Sequence, residues 1–196
     1  MQVAEHIGTN RIYGIDIIES ALMKAQKSGI IALRSDLNAM IPMGDHSVDV
    51  VFSNQVIEHL VNPGNFVKEM HRVLKPSGYA VICTENLASL HNILALIRGK
   101  QPYSGPYIVV DDLLLGRHSN PKEHKFKHTN ETMFPHNKVF AFEAYKQIFE
   151  VCGFRVVKIY GAGYYPFPEP FSKILSLLDK RHAAFLVVKV RRVQKT

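Results

Sequence analysis

From residue 11 to residue 98 the chain alternates short apolar runs with stretches whose apolar residues recur at helical spacing, and that alternation leaves few folds open. Arg11-Ile12-Tyr13-Gly14-Ile15-Asp16 is short, apolar and closed by an acid, which predicts a buried strand. Residues 18–28 carry Ala21, Leu22 and Ala25 on one helical face, and Gly29 is a natural stop. Residues 30–35 predict a second strand, and residues 48–53 a third, opened by the Gly44-Asp45 turn. Residues 63–74 predict a helix with Pro63 in its first turn and Phe66, Met70 and Val73 on one face. Lys75-Pro76-Ser77-Gly78 ends it, residues 79–84 predict the next strand, and residues 86–97 a helix stopped at Gly99. Strands alternating with helices imply an α/β fold, a parallel sheet covered on both faces.

Residues 99–138 break the pattern with Pro102, Pro106, Pro121, Pro135 and several histidines, as a lid or substrate-binding insertion would. Order returns with a helix over 141–152, a strand over 154–160, a helix over 171–179 and a last strand over 184–190. At 196 residues this is the length of a single domain, divided as 1–98, the insertion 99–138, and 139–196. Cys83 and Cys152 are the only cysteines and lack partners at ligand spacing, which argues against a disulfide framework and fits a reducing cytoplasm. No apolar run is long enough to predict a membrane span, and the first residues lack the pattern of a signal peptide. The net charge is +7, concentrated in residues 122–128 and 189–195. No nucleic-acid motif accompanies the charge, so a solvated surface is expected, or one that steers an anionic small molecule.

Four segments carry a resemblance: Tyr13-Gly14-Ile15-Asp16-Ile17; Ser35-Asp36-Leu37, with Ile41-Pro42 and Asp45-His46-Ser47-Val48-Asp49-Val50-Val51 after it; Asn54-Gln55-Val56-Ile57-Glu58-His59-Leu60; and Arg72-Val73-Leu74-Lys75-Pro76-Ser77-Gly78. In that order and at those separations they resemble class I, Rossmann-like S-adenosylmethionine-dependent methyltransferases of the type 11 domain. The resemblance implies a three-layer, mostly parallel sheet with an antiparallel last strand. It also implies S-adenosylmethionine as cofactor and a small-molecule acceptor held under the insertion. By resemblance Asp16 accepts from the ribose hydroxyls, Ile17 packs on the adenine, Asp36 accepts from the adenine amino group and Leu37 lies beside the ring. Ser53 and Asn54 border the methionine part. Local preference offers a plainer alternative, with Asp16 a helix cap and Asp36 a turn residue.

Some relatives bind a divalent metal through a Glu-x-x-Glu-His stretch. Here the first position is Gln55, a poor ligand for a hard cation, so no metal is expected and His59 is the candidate general base. His118, His124, His128 and His136 would make a metal site only by converging. The family also places a first strand and a glycine-rich loop before the segment that holds Asp16, and this chain has neither. The one Gly-x-Gly, Gly161-Ala162-Gly163, follows the wrong strand. The expectation is a truncated reading frame, with a slot in mid-sheet between the strands ending at Asp16 and Ser53. The loop 161–170 and the insertion are expected to roof the pocket. Tyr103, Tyr107, Phe126, Tyr164, Tyr165 and Phe167 would be its walls, and Arg117, Lys122 and Lys125 would face an anionic acceptor. The alternative function is a non-catalytic, methyltransferase-like scaffold.

Overall fold

In the computed structural model the described residues are 5, 7–106, 108–110, 113–115 and 136–193. The order of elements is β1 (Tyr13–Asp16), α1 (Glu19–Lys27), β2 (Ile31–Arg34), β3 (Val48–Asn54), a 3₁₀ turn (Ile57–His59), α2 (Pro63–Val73), β4 (Leu74–Glu85), α3 (Leu90–Ile97), β5 (Ile108–Val110), β6 (Leu113–Leu115), α4 (Phe142–Val151), β7 (Phe154–Ala162), α5 (Phe171–Leu178), a second 3₁₀ turn (Lys180–His182) and β8 (Phe185–Arg192).

The larger sheet has the order β3-β4-β8-β7. β3 runs parallel to β4, while β8 lies antiparallel to both β4 and β7. β1 and β2 form a separate parallel pair. Among the described residues no strand joins β1 to β3, so the sheet is split where the sequence predicts the slot.

α2 starts with Pro63 behind an Asn62 cap that accepts from the Asn65 N–H, and it buries Phe66, Val67, Met70 and Val73. α4 brings Phe142, Tyr145 and Phe149 into the same core. These side chains meet Leu74, Ala80 and Ile82 of β4 and Leu186, Val188 and Val190 of β8. Burial alternates along β4 and β8, as a period of two requires: one face is fully buried and the other half-exposed. On the half-exposed face the Lys189 ammonium lies 4.4 Å from the centre of the Tyr79 ring. The buried face carries most of the hydrophobic stabilisation.

Three local expectations change. β4 begins at Leu74: Val48 pairs with Leu74 and Val50 with Tyr79, so residues 75–78 bulge out inside the strand instead of preceding it. Gly78 makes that bulge possible, since a Cβ there would lie 3.0 Å from the carbonyl oxygens of Asp49 and Lys75. α3 starts at Leu90, not at residue 86, because Asn86 is committed elsewhere. Its amide donates to the carbonyls of Arg181 and Ala183, and its side-chain oxygen accepts from the Ala88 N–H. The insertion is also not patternless: β5 and β6 pair antiparallel, with Ile108 opposite Leu115.

The two sheets are joined through side chains. Asn38 Oδ1 accepts from the N–H groups of Val61 and Asn62, and Asn65 Nδ2 donates to the carbonyls of Asn38 and Ala39. Arg72 donates to the carbonyls of Ile41 and Met43, to Asp45 and twice to Glu69, while Glu69 accepts from the Ile41 N–H. Residues 38–45, which lead from β2 to β3, are thus fastened to α2 and the turn before it.

The Arg72 hydrogen bonds are the largest cause holding the Glu69 carboxyl below its ordinary 4.5. A depressed acid stabilises the fold above its unfolded pKa, and that contribution is lost as pH falls through the lower folded value. Arg72→Met should cost about 2–3 kcal/mol at pH 7, because it strands a largely buried carboxylate. The deficit, measured by urea denaturation, should shrink as pH drops below 4.5.

Candidate functional site

The carboxyl ends of β1, β2 and β3 gather the residues expected to hold a cofactor. Asp16 closes β1 and Asp36 follows the end of β2 by two residues, on adjacent parallel strands. Each carboxylate serves its own turn through one oxygen. Oδ1 of Asp16 accepts from the Ile18 N–H at 2.9 Å, and Oδ1 of Asp36 from the backbone and side chain of Asn38 at 2.8 and 3.0 Å. The turn expected of Asp36 is therefore realised, whereas Asp16 makes the same contact two residues on without capping α1, whose N-cap is Ile18; in both residues Oδ1 alone is occupied. Neither Oδ2 takes a hydrogen bond from the described residues. Ile17 is an exposed apolar side chain at 42% accessibility, while Leu37 packs against the core edge.

Between β1 and β3 runs a cavity of about 870 Å³. Tyr13 and Ile15 line one wall, Val51, Ser53 and Asn54 the other, and Leu37 also borders it. Asp16, Ile17 and Asp36 stand beside it without lining it. Ser53 is buried, and its hydroxyl has no hydrogen-bond partner among the described residues.

After Asn54 the chain turns sharply. Gln55 adopts a left-handed φ of 54°, its N–H donates to the Cys83 carbonyl and its amide to the Cys83 sulfur at 3.6 Å. A non-glycine residue in this region is uncommon and tends to mark functional turns. The 3₁₀ turn that follows presents Glu58 and His59. Glu58 is fully buried. Thr84 Oγ1 donates to its Oε2 at 2.9 Å, and Oε1 has no partner. Burial, the largest cause, pushes this carboxyl above its ordinary range.

His136 lies against this turn, its ring centre 4.9 Å from that of His59. Backbone and side-chain bonds hold it there: the N–H groups of Asn137 and Lys138 both donate to the Glu58 carbonyl, and Asn137 Nδ2 donates to the His59 carbonyl. Glu58, His59 and His136 each bring a potential ligand atom within 4.8 Å of the others. Thr84 and the meeting of His136 with Glu58 escaped the sequence reading. No spacing links residues so far apart; the only signal was the surplus of histidines in the insertion.

A second, smaller cavity of about 200 Å³ opens beyond Glu85 at the end of β4, lined by His91, Tyr103, Ser104, Tyr165 and Phe185. The His91 ring meets Tyr103 at 5.4 Å and Tyr165 at 5.5 Å, centre to centre. Two of the expected wall residues, Tyr103 and Tyr165, do line a pocket. Tyr164 does not. It is buried, its hydroxyl donates to Asp179 at 2.8 Å, and burial together with that carboxylate pushes it up to about 12. Phe167 packs beside Tyr164 and lines neither cavity. Gly161 serves packing, since a Cβ there would lie 2.6 Å from the Ala183 Cβ and 2.8 Å from the Lys180 Cα. Tyr107, Arg117, His118, Lys122, His124, Lys125, Phe126 and His128 lie outside the described residues.

Residues 1–82 match the family described as "Methyltransferase domain". A probable S-adenosylmethionine-dependent methyltransferase of Mycolicibacterium smegmatis is 38% identical over 77 residues, 39% of this chain and 30% of that protein. The match thus spans under a third of the relative's length. The solved S-adenosylmethionine-dependent methyltransferase of Mesorhizobium loti superposes with a TM-score of 0.61 at 18% identity, over 97% of this chain and 84% of that one. A Burkholderia thailandensis 1,6-didemethyltoxoflavin-N1-methyltransferase, solved with bound 1,6-didemethyltoxoflavin and S-adenosylhomocysteine, gives a TM-score of 0.51 at 15% identity, over 94% of this chain and 62% of that one.

Thr84 is the one side-chain donor to the Glu58 carboxylate among the described residues. Thr84→Val should destabilise the fold by about 1–3 kcal/mol, the cost of leaving a buried acceptor unsatisfied. Thr84→Ser, which keeps the hydroxyl, should recover most of that loss in thermal denaturation.

Proposed function

We propose that this chain is the methyl-transferring unit of a Rossmann-like, S-adenosylmethionine-dependent enzyme acting on a small-molecule acceptor; the match of residues 1–82 to a methyltransferase domain and the likeness of the fold support the reading. One observation carries the reading. Asp16 and Asp36 sit at adjacent strand ends, each with one carboxylate oxygen held by its own turn and the other unengaged by the described residues.

Ligands of open parallel sheets bind beyond the strands' carboxyl ends, where such carboxylates can accept from hydroxyl and amino groups. In this reading Asp16 takes the ribose hydroxyls and Asp36 the adenine amino group, with the exposed Ile17 and the half-buried Leu37 as apolar contacts for the ring. Ser53 and Asn54 border the methionine end, and the orphaned Ser53 hydroxyl suits a polar ligand. The residues present therefore fit the adenosine half of the cofactor. The cofactor supplies an electrophilic methyl group; the chain aligns the acceptor and keeps water away.

His59 stands on the acceptor side. The smaller cavity, with His91, Tyr103 and Tyr165, offers aromatic walls and a few polar groups, the usual make-up of a small-molecule site. In this reading the acceptor is anionic and the enzyme works in the cytoplasm. The large cavity between β1 and β3 accommodates a further strand laid parallel to both, which would pair two unpaired edges and complete the cofactor's surroundings.

Calorimetry with S-adenosylmethionine tests the assignment. Asp16→Ala should weaken binding by about 1.5–3 kcal/mol, the worth of charge-assisted hydrogen bonds. A chain extended upstream of Met1 by a strand and a glycine-rich turn should bind at least roughly tenfold more tightly, about 1.4 kcal/mol. Unchanged affinity in Asp16→Ala removes that residue from the site. Failure of both chains to bind leaves the scaffold reading in its place.

A further inference from the structure

The three groups at the end of β3 have a chemistry that cofactor binding does not use. Glu58 is fully buried, one of its oxygens is fixed by Thr84 and the other, Oε1, is buried without a partner. An unsatisfied buried carboxylate oxygen is costly and calls for a counter-charge or a donor. Two imidazoles stand beside it, and the potential ligand atoms of all three residues lie within 4.8 Å of one another.

The His136 ring is already oriented for ligation. Its Nδ1 lies 2.9 Å from the Ser104 carbonyl oxygen, which can only accept, so Nδ1 is the donor in that bond. A metal-binding histidine is typically held in this way, with its other ring nitrogen donating to a carbonyl. Thr84 does the same for the carboxylate by occupying Oε2. The hydrogen bonds from Asn137 and Lys138 to the carbonyls of Glu58 and His59 fix the two chain segments against each other.

We propose that Glu58, His59 and His136 bind one divalent transition-metal ion. The donor set decides the class. Two imidazole nitrogens and one carboxylate oxygen suit zinc, cobalt, manganese or ferrous iron, whereas calcium and magnesium favour all-oxygen sites. At a ligand distance of about 2.1 Å, tetrahedral donors stand roughly 3.4 Å apart, so the three groups need close by no more than about 1.4 Å, a side-chain adjustment.

Gln55 drops out of the ligand set without preventing it. Its amide is turned to Cys83, and the third ligand comes from residue 136. Three protein ligands leave a fourth position open. An acceptor's oxygen or nitrogen can occupy that position and lose its proton more readily there. The His59 nitrogen that holds the ion then cannot act as the base. This last step rests on the methyl-transfer reading, but metal binding itself does not.

The test uses the full chain, stripped with a chelator and titrated with Co²⁺ followed by visible absorption, then with Zn²⁺ in competition with a chromophoric chelator. One equivalent should bind. Glu58→Gln, His59→Gln and His136→Ala should each weaken Zn²⁺ binding at least tenfold, while the exposed control His46→Asn should not. Near-ultraviolet circular dichroism identifies which variants are folded. X-ray absorption at the zinc edge of the unmutated complex supplies a readout that needs no variant, and it should show two imidazoles and an oxygen donor. Sub-stoichiometric binding, undiminished affinity in the folded variants, or fewer than two imidazoles on the zinc would each overturn the proposal.

Discussion

The arrangement of the molecule depends on how residues 38–45 are tied to α2. β1 and β2 share no backbone ladder with the larger sheet among the described residues. What sets their position is the Arg72 guanidinium, which reaches two carbonyls and two carboxylates, together with the paired amides of Asn38 and Asn65. Hydrogen bonds to charged groups are worth more than neutral ones, and those of Arg72 with Glu69 are largely shielded from water. The clamp therefore keeps the ends of β1 and β2 alongside the end of β3, although no backbone ladder joins them among the described residues.

A second polar knot does comparable work across the larger sheet. Asn86 is fully buried, and its backbone and side chain together reach Ala88, Asn92, Arg181, Ala183 and Ala184. It joins the end of β4 to the start of β8 and the base of α3, and it bridges to Phe140 before α4. Such a network tolerates no partial satisfaction in a low-dielectric interior, so it specifies one arrangement of these ends. The candidate metal ligands and the small aromatic cavity both sit on this edge, where rigid elements stop and loops begin. Positioned side chains at such an edge serve chemistry better than side chains within the loops themselves.

How legible this was depended on the range of the determining contacts. The β and α segments declared themselves by period, because a buried face repeats every two residues in a strand and every three to four in a helix. Asp16 was legible as the acid that closes an apolar run, while Asp36, which follows Arg34 and Ser35, stood out only through the family resemblance. The misreadings came where a single side chain outweighed the period. Asn86 delays α3, Gly78 allows a bulge inside β4, and Tyr164 gives its hydroxyl to Asp179 instead of to a pocket. None of these leaves a repeating mark in the sequence.

By itself the sequence determined the α/β class, the succession of elements, the acids at the ends of β1 and β2, and the gap in mid-sheet. The class and the succession of elements follow from local periodicity, whereas the gap was legible only through the resemblance to a known family. Only the tertiary structure decided that His136 stands beside Glu58 and His59, that Thr84 satisfies one carboxylate oxygen and strands the other, and that Arg72 holds the two sheets in register. Those contacts join segments 26 to 78 residues apart, where the chain encodes no spacing. They form because burying Glu58 and α2 leaves polar groups that must find partners wherever the fold brings them.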